Sequence, residues 1–314
     1  MNRCLYCYQE LEPENKSDYH SRCNKTFFGT EIAPILPYSL NEMAELAKKT
    51  IELSITIPGV QPKLSLSFIQ SEINDGHNGR LTIMDALDGN YILKPQNLAY
   101  EQMPENEHLS MKLAELFKIE TVPSNMIRLA SGELCYITKR IDRTSENRKI
   151  HMIDFLQILE LEDKYKGTME QVGKTIGHLS VNELLDKLRF FELSIFNFII
   201  HNNDMHLKNF SMYLSNYGWI LSPAYDLINV KIIIPKDDEE TALLLGGKKK
   251  NFTKTYFDRF GNLLGLNDKQ INFVYKKLNK WLPNAEKLID ISFLTEEKKK
   301  EYKSLINERV NVFQ

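Results

Sequence analysis

The segment His201-Asn202-Asn203-Asp204-Met205-His206-Leu207-Lys208-Asn209-Phe210 places a carboxylate, Asp204, ahead of an amide, Asn209, at D-x-x-x-x-N spacing. Phosphoryl transfer needs a carboxylate near the attacking hydroxyl and hard oxygen ligands for Mg²⁺ beside the phosphates. Protein kinases set these two groups at this spacing. Asp and Asn are also common turn residues, so the spacing alone more often describes a hydrogen-bonded turn. A second carboxylate, Asp226 in Ser222-Pro223-Ala224-Tyr225-Asp226-Leu227, follows an expected hairpin over 209–221. The order apolar helix, Asp…Asn, hairpin, Asp is much rarer by chance than any of its parts. His206, between Asp204 and Asn209, is either a packing histidine or a contact to a γ-phosphate.

Lys94 ends the strand-like run Tyr91-Ile92-Leu93-Lys94-Pro95. A strand lysine of this kind can reach nucleotide phosphates, and a following helix over 105–118 offers Glu107 as its ion-pair partner. Glu107 could also simply favour the helix N-terminus through the dipole. The loop Pro58-Gly59-Val60-Gln61-Pro62-Lys63 precedes a strand and could aim backbone N–H groups at phosphates. With a single glycine, it reads by pattern as a turn.

Two close pairs, Cys4-x-x-Cys7 and His20-x-x-Cys23, fall within one short stretch near the start. Zinc prefers four tetrahedral N/S ligands, which two such knuckles supply. The competing reading packs the thiols among Leu5, Tyr6, Phe27 and Phe28. A closed four-ligand site would be structural, with no position left for catalysis. Cys135 reads as a core thiol.

The elements that must position these groups divide unevenly. Residues 1–30 show neither helical nor strand periodicity and form an expected small Cys/His module. Residues 39–50 read as a Ser-capped amphipathic helix and 63–69 as a half-buried strand. Two strands flank the turn Asp88-Gly89-Asn90, and a hairpin turns at Ser131-Gly132. From 151 onward helices dominate. The expected organisation is a module over 1–30, a strand-rich N-lobe over 31–140 and a helical C-lobe over 141–314. That asymmetry is what an α+β, two-lobed protein-kinase-like fold would show, with nucleotide in the cleft between lobes, and it is also compatible with many other α+β folds. The apolar stretch 181–200 carries Glu183, Asp186, Lys187, Arg189 and Glu192, too many charges for lipid, and reads as a buried core helix. A composition of 42% hydrophobic and 26% charged residues excludes wholesale disorder. A formal net charge of −2 excludes a global field toward nucleic acid or anionic membrane. No leader-like apolar stretch opens the chain, so the expected location is cytoplasmic, with free or metal-bound thiols. The lysine runs 248–250 and 298–300 read as a solvated loop and a solvated helix face.

The ordered segments TIPGVQPKLSL (from Thr56), YILKP, NEHLSMKLAEL, ITKRIDR, NNDMHLKNFS and LSPAYDL resemble the HipA-type serine/threonine kinases of bacterial toxin–antitoxin systems. The resemblance spans roughly residues 51–230, and the short form of the chain is similar to the HipT-type proteins. It implies that Asp204 is the catalytic base, Asn209 and Asp226 hold Mg²⁺, and Lys94 binds ATP phosphates. It implies a phosphate loop at Gly59, Val60, Gln61 and Lys63. Adenine would meet the chain at Thr138, Lys139, Arg140 and Ile141. Thr56 matches the serine whose autophosphorylation expels the phosphate loop in the family, and Ser54 is a second acceptor. The implied partners are a helix-turn-helix, HipB-like antitoxin, through which alone DNA is reached, and a small HipS-like protein. The implied substrate is an aminoacyl-tRNA synthetase. Two other functions use the same residues: an aminoglycoside-type small-molecule phosphotransferase, and a catalytically inactive binding scaffold.

Overall fold

The computed structural model describes residues 2–53, 63–69, 79–84, 89–97, 99–144, 146 and 148–314, with the side chains of 47–53, 67–69 and 83–84 left aside. The chain divides into two compact units. Unit 1 comprises Met1–His108, Val122–Arg148 and Ile291–Phe293, and unit 2 comprises Leu109–Thr121, Lys149–Asp290 and Leu294–Gln314.

Unit 1 runs through α1 (Ser21–Phe28), α2 (Leu40–Leu53), β1 (Leu64–Ile69), β2 (Arg80–Met84), β3 (Tyr91–Lys94), the first part of α3 (Met103–Leu116), β4 (Ser124–Arg128) and β5 (Leu134–Lys139). The strands form one antiparallel sheet in the order β2-β1-β3-β5-β4. Leu64, Leu66, Leu93, Cys135 and Ile137 are buried in it. The strands on either side of Gly89 do not pair with each other, because β1 lies between them. Gly89 makes this possible. It sits at φ 94°, and a Cβ there would come 2.6 Å from the Leu66 carbonyl oxygen. Asn90 N–H donates to that same carbonyl at 2.9 Å. Asp88 lies outside the described residues.

The opening residues correct the expectation of no periodicity. Ser21–Phe28 is a helix that buries Cys23, Asn24, Phe27 and Phe28. It ends at Gly29, in the left-handed region, whose N–H returns to the Lys25 carbonyl at 3.1 Å. The sequence carries both the 3/4 spacing and the stop glycine, but the helix is only two turns long. This segment packs within unit 1. Tyr19 Oη donates to the Met126 carbonyl at 2.6 Å, and Phe27 lies 5.9 Å from Tyr91, ring to ring.

Unit 2 continues with β6 (Met152–Asp154), α4 (Phe155–Ile158), α5 (Met169–Leu179), α6 (Glu183–Ile199), β7 (Ser211–Ser215), β8 (Gly218–Leu221), α7 (Lys254–Leu263), α8 (Asp268–Asp290) and α9 (Glu296–Asn311). Asp154 and Thr168 start α4 and α5 with reciprocal capping boxes to Gln157 and Gln171. The core is α6, whose C-terminal half is buried on every side. Phe190 meets Phe210, Phe196 meets Trp281 and Phe198 meets Phe257, with ring centroids 4.9–5.9 Å apart. No described helix is long and apolar enough to cross a membrane. β6, β7 and β8 form a small antiparallel sheet.

One charge expectation needs correction. Lys299 is buried rather than solvated, with its ammonium on Glu296 at 2.8 Å. The 248–250 run lies at the surface as expected, where Lys249 and Lys250 pair with Glu239 and Asp238.

Candidate active site

The C-terminal end of α6 delivers the chain into the segment 201–210. His201 breaks the helix at φ 54°. Asn202 N–H donates to the Asn197 carbonyl at 2.8 Å, and its amide Nδ2 donates to Asn197 Oδ1 at 2.9 Å. Nδ2 also lies 3.5 Å from the carbonyl oxygen of Asp226, which ties the end of the helix to the second carboxylate residue. Asp226 itself sits at φ 56°. Left-handed backbone at a residue other than glycine costs energy, and surrounding structure must hold it there.

The Asp204–Asn209 stretch is a closed turn. Asn209 Nδ2 donates to the Asp204 carbonyl at 3.0 Å, and His206 N–H donates to it at 2.8 Å. A 3-10 turn over Leu207–Asn209 completes it. With Nδ2 committed, Asn209 Oδ1 is the amide atom suited to a cation. Asn209 Oδ1 and the Asp226 carboxylate are hard oxygen donors, and Mg²⁺ takes few protein ligands beside phosphate and water. The donor set therefore fits that ion.

His206 is buried, and its Nε2 lies 2.7 Å from Lys164 Nζ and 3.9 Å from Asp204 Oδ1. Burial pushes its imidazole down to about 4. The charges of Asp204 and Asp226 pull the other way, and Lys164 adds to the depression. One ring thus senses both carboxylates. Its Nδ1 has no hydrogen-bond partner among the described residues.

Asp204 keeps a side chain 46% exposed, and Tyr165 Oη donates to its Oδ1 at 2.7 Å. Sequence spacing singles out neither Lys164 nor Tyr165. They lie about forty residues upstream in a loop, and no spacing rule links them to Asp204.

Behind the turn, Asp186 on α6 is fully buried. Its Oδ2 accepts from Ser180 Oγ at 2.6 Å and from the Leu221 N–H at 2.8 Å. A helix carboxylate thereby fixes β8, the strand that leads to Asp226. In the sequence this aspartate is only one of the charges that exclude lipid.

Unit 1 carries its own polar centre. Lys94 Nζ lies 2.5 Å from Glu107 Oε1, and both residues are almost wholly buried. Lys94 Nζ also stands 5.4 Å from the Tyr136 ring centroid. Glu105, also buried, accepts from Gln96 Nε2 at 2.9 Å. Polar residues thus fill the first half of α3, where an amphipathic helix would show solvent. Thr138 is buried with its hydroxyl on the Pro123 carbonyl at 3.0 Å. Lys139 lies 5.5 Å from the Phe27 ring, and burial lowers the pKa of its ammonium. Arg140 binds Asp142 through Nε at 2.9 Å, and Ile141 is half-buried. Lys63 is exposed just before β1. Ser54, Thr56, Gly59, Val60 and Gln61 lie outside the described residues.

Cys4, Cys7, His20 and Cys23 converge, with one ligand atom from each within 4.8 Å of all the others. His20 Nδ1 is 3.5 Å from Cys7 Sγ and 3.8 Å from Cys23 Sγ. Its Nε2 faces the Glu10 carbonyl at 3.0 Å, which selects Nδ1 as the inward atom. Cys4 and Cys23 are buried. Three sulfurs and one imidazole nitrogen at these separations match a tetrahedral zinc donor set. Tyr8, at φ 64° just past Cys7, places its hydroxyl 2.8 Å from His108 Nδ1 on α3.

Known proteins share this chain's sequence pattern and fold. Residues 55–285 match the HipA-like C-terminal domain family. A Haemophilus influenzae protein named as a candidate kinase is 29% identical over 251 residues, covering 74% of this chain and 70% of that protein. The serine/threonine-protein kinase toxin HipA of Shewanella oneidensis is 26% identical over 194 residues, covering 54% of this chain and 44% of that protein. The chain thus spans under half the length of that toxin. Among solved structures, the Shewanella oneidensis HipA complex with HipB and operator DNA superposes with a TM-score of 0.68 at 16% identity, over 97% of this chain and 72% of that one. The Helicobacter pylori proinflammatory kinase CtkA gives 0.52 at 14% identity, over 71% and 88%. The fold is the kinase-like α+β fold of these structures. With the family match covering well over half of its residues, the chain belongs to the HipA-like C-terminal domain family of kinases.

Proposed function

We propose that this chain is an ATP- and Mg²⁺-dependent serine/threonine protein kinase that acts as a toxin. The closed Asp204–Asn209 turn, joined through Asn202 to Asp226, carries the proposal. Asp204 would accept the proton of the acceptor hydroxyl. Asn209 and Asp226 would hold Mg²⁺, which neutralises phosphate charge when bound. The neutral His206 offers its Nδ1 proton to a phosphoryl oxygen. Lys94, fixed by Glu107, would bind the α/β-phosphates. Gly59, Val60, Gln61 and Lys63 would form the phosphate loop, and Thr138 to Ile141 would meet adenine. Residues 31–140 would then serve as the N-lobe and 141–314 as the C-lobe.

The proposed partner is a HipB-like antitoxin, by analogy with the HipA–HipB–operator complex, so DNA is reached only through it. A small HipS-like protein is a second partner, and the substrate is an aminoacyl-tRNA synthetase in the cytoplasm. Autophosphorylation falls on Thr56 or Ser54. Purified protein with Mg-ATP should label a synthetase on Ser or Thr. Labelling confined to small molecules would remove the toxin assignment. Growth arrest that persists after Asp204→Gln would leave only a binding scaffold.

The Cys4, Cys7, His20 and Cys23 cluster is proposed as a structural zinc centre. Elemental analysis should give one zinc per chain, falling to a fraction of that in Cys4→Ser/Cys7→Ser protein. Sub-stoichiometric zinc in well-folded wild-type protein would rule this out.

A further inference from the structure

Lys164 and Tyr165 make three hydrogen bonds with the Asp204–Asn209 turn, and each fixes a different degree of freedom. The Lys164 carbonyl accepts from the Leu207 N–H at 3.1 Å, which pins the backbone. Tyr165 Oη donates to Asp204 Oδ1 at 2.7 Å. Lys164 Nζ donates to His206 Nε2 at 2.7 Å. The dipeptide is itself held. Tyr165 N–H donates to Asp163 Oδ1 at 2.9 Å, and the Tyr165 ring stands edge-on to His206 at 5.3 Å.

Each contact has a chemical consequence. A half-exposed carboxylate rotates freely in water, whereas a base must present one oxygen to one hydroxyl. With Oδ1 taken by a phenol, Oδ2 is the oxygen left to meet an acceptor. An ammonium has no lone pair, so Lys164 can only donate, and His206 Nε2 must accept. The imidazole proton is then confined to Nδ1, the atom without a partner among the described residues.

We infer that Lys164 and Tyr165 are positioning residues that orient the Asp204 carboxylate and select the His206 tautomer. This rests on the kinase assignment of Asp204, but its two readouts are separable from it. The first is release of phosphate from Mg-ATP with water as acceptor. Tyr165→Phe keeps the ring against His206 and should lower kcat by about tenfold to a hundredfold, with KM for ATP within about twofold. The second is the ¹⁵N spectrum of His206 at neutral pH. Wild type should show the Nδ1–H tautomer, Lys164→Met a mixture, and Lys164→Arg the wild-type pattern. A Tyr165→Phe enzyme with kcat within about twofold of wild type would overturn the carboxylate role. An unchanged tautomer in Lys164→Met would overturn the imidazole role. Wild-type protein with no phosphoryl transfer would sink the kinase assignment instead, and the tautomer measurement would still decide the Lys164 contact.

Discussion

The two polar centres differ in how they are solvated. In unit 1, Lys94 and Glu107 form an ion pair with side chains 5% and 2% exposed. In unit 2, the Asp204 side chain is 46% exposed and is steadied by a phenol. A buried pair is held by mutual charge, and losing one partner strands the other in a low-dielectric interior. A half-exposed carboxylate can be neutralised at little structural cost. The first centre is therefore coupled to stability and the second is close to independent of it.

Asp204→Asn tests this contrast most severely. Phosphoryl transfer should fall by about 10²–10⁴-fold, while the denaturation midpoint stays within error. A large fall in that midpoint would show that the turn, and not the site alone, depends on the charge. Lys94→Met comes next, with a stability loss of about 3–5 kcal/mol by urea titration. Adding Glu107→Leu should restore most of that stability without restoring nucleotide binding. If the single variant is as stable as wild type, the pair is not what holds β3 against α3.

The smallest effect is on pH dependence. Burial and the Arg309 guanidinium push His201 down to about 4, below the unfolded value of 6.5. The unfolded chain binds the extra proton between these values, so His201's contribution to stability is present above pH 6.5 and lost as pH falls toward 4. The difference between wild type and His201→Asn in urea titrations should change by on the order of 1–3 kcal/mol across that window. A difference that stays flat would place His201 in a more solvated setting.

Local spacing makes much of this site legible. Asp204 and Asn209 share one turn, Asp226 follows a hairpin, and Lys94 and Glu107 sit on consecutive elements, so short-range pattern suffices. Cys4, Cys7, His20 and Cys23 are legible for the same reason. What stays hidden depends on tertiary contact. Tyr165 reaches Asp204 across 39 positions, and Asp186 reaches the Leu221 amide across 35. β6 is three residues long, too short for any alternation to show. The pairing of β1 between β2 and β3 depends on long-range register, which the turn at Gly89 could not reveal.

Tyr8 carries a practical consequence for anyone trimming this protein. Its phenol is buried and covers His108, and its ring stands edge-on to Phe293 at 5.4 Å. Phe27 and Phe28 in the same segment lie against Tyr91. Deleting the first thirty residues would uncover these rings together, and the shortened product would be expected to collect in inclusion bodies.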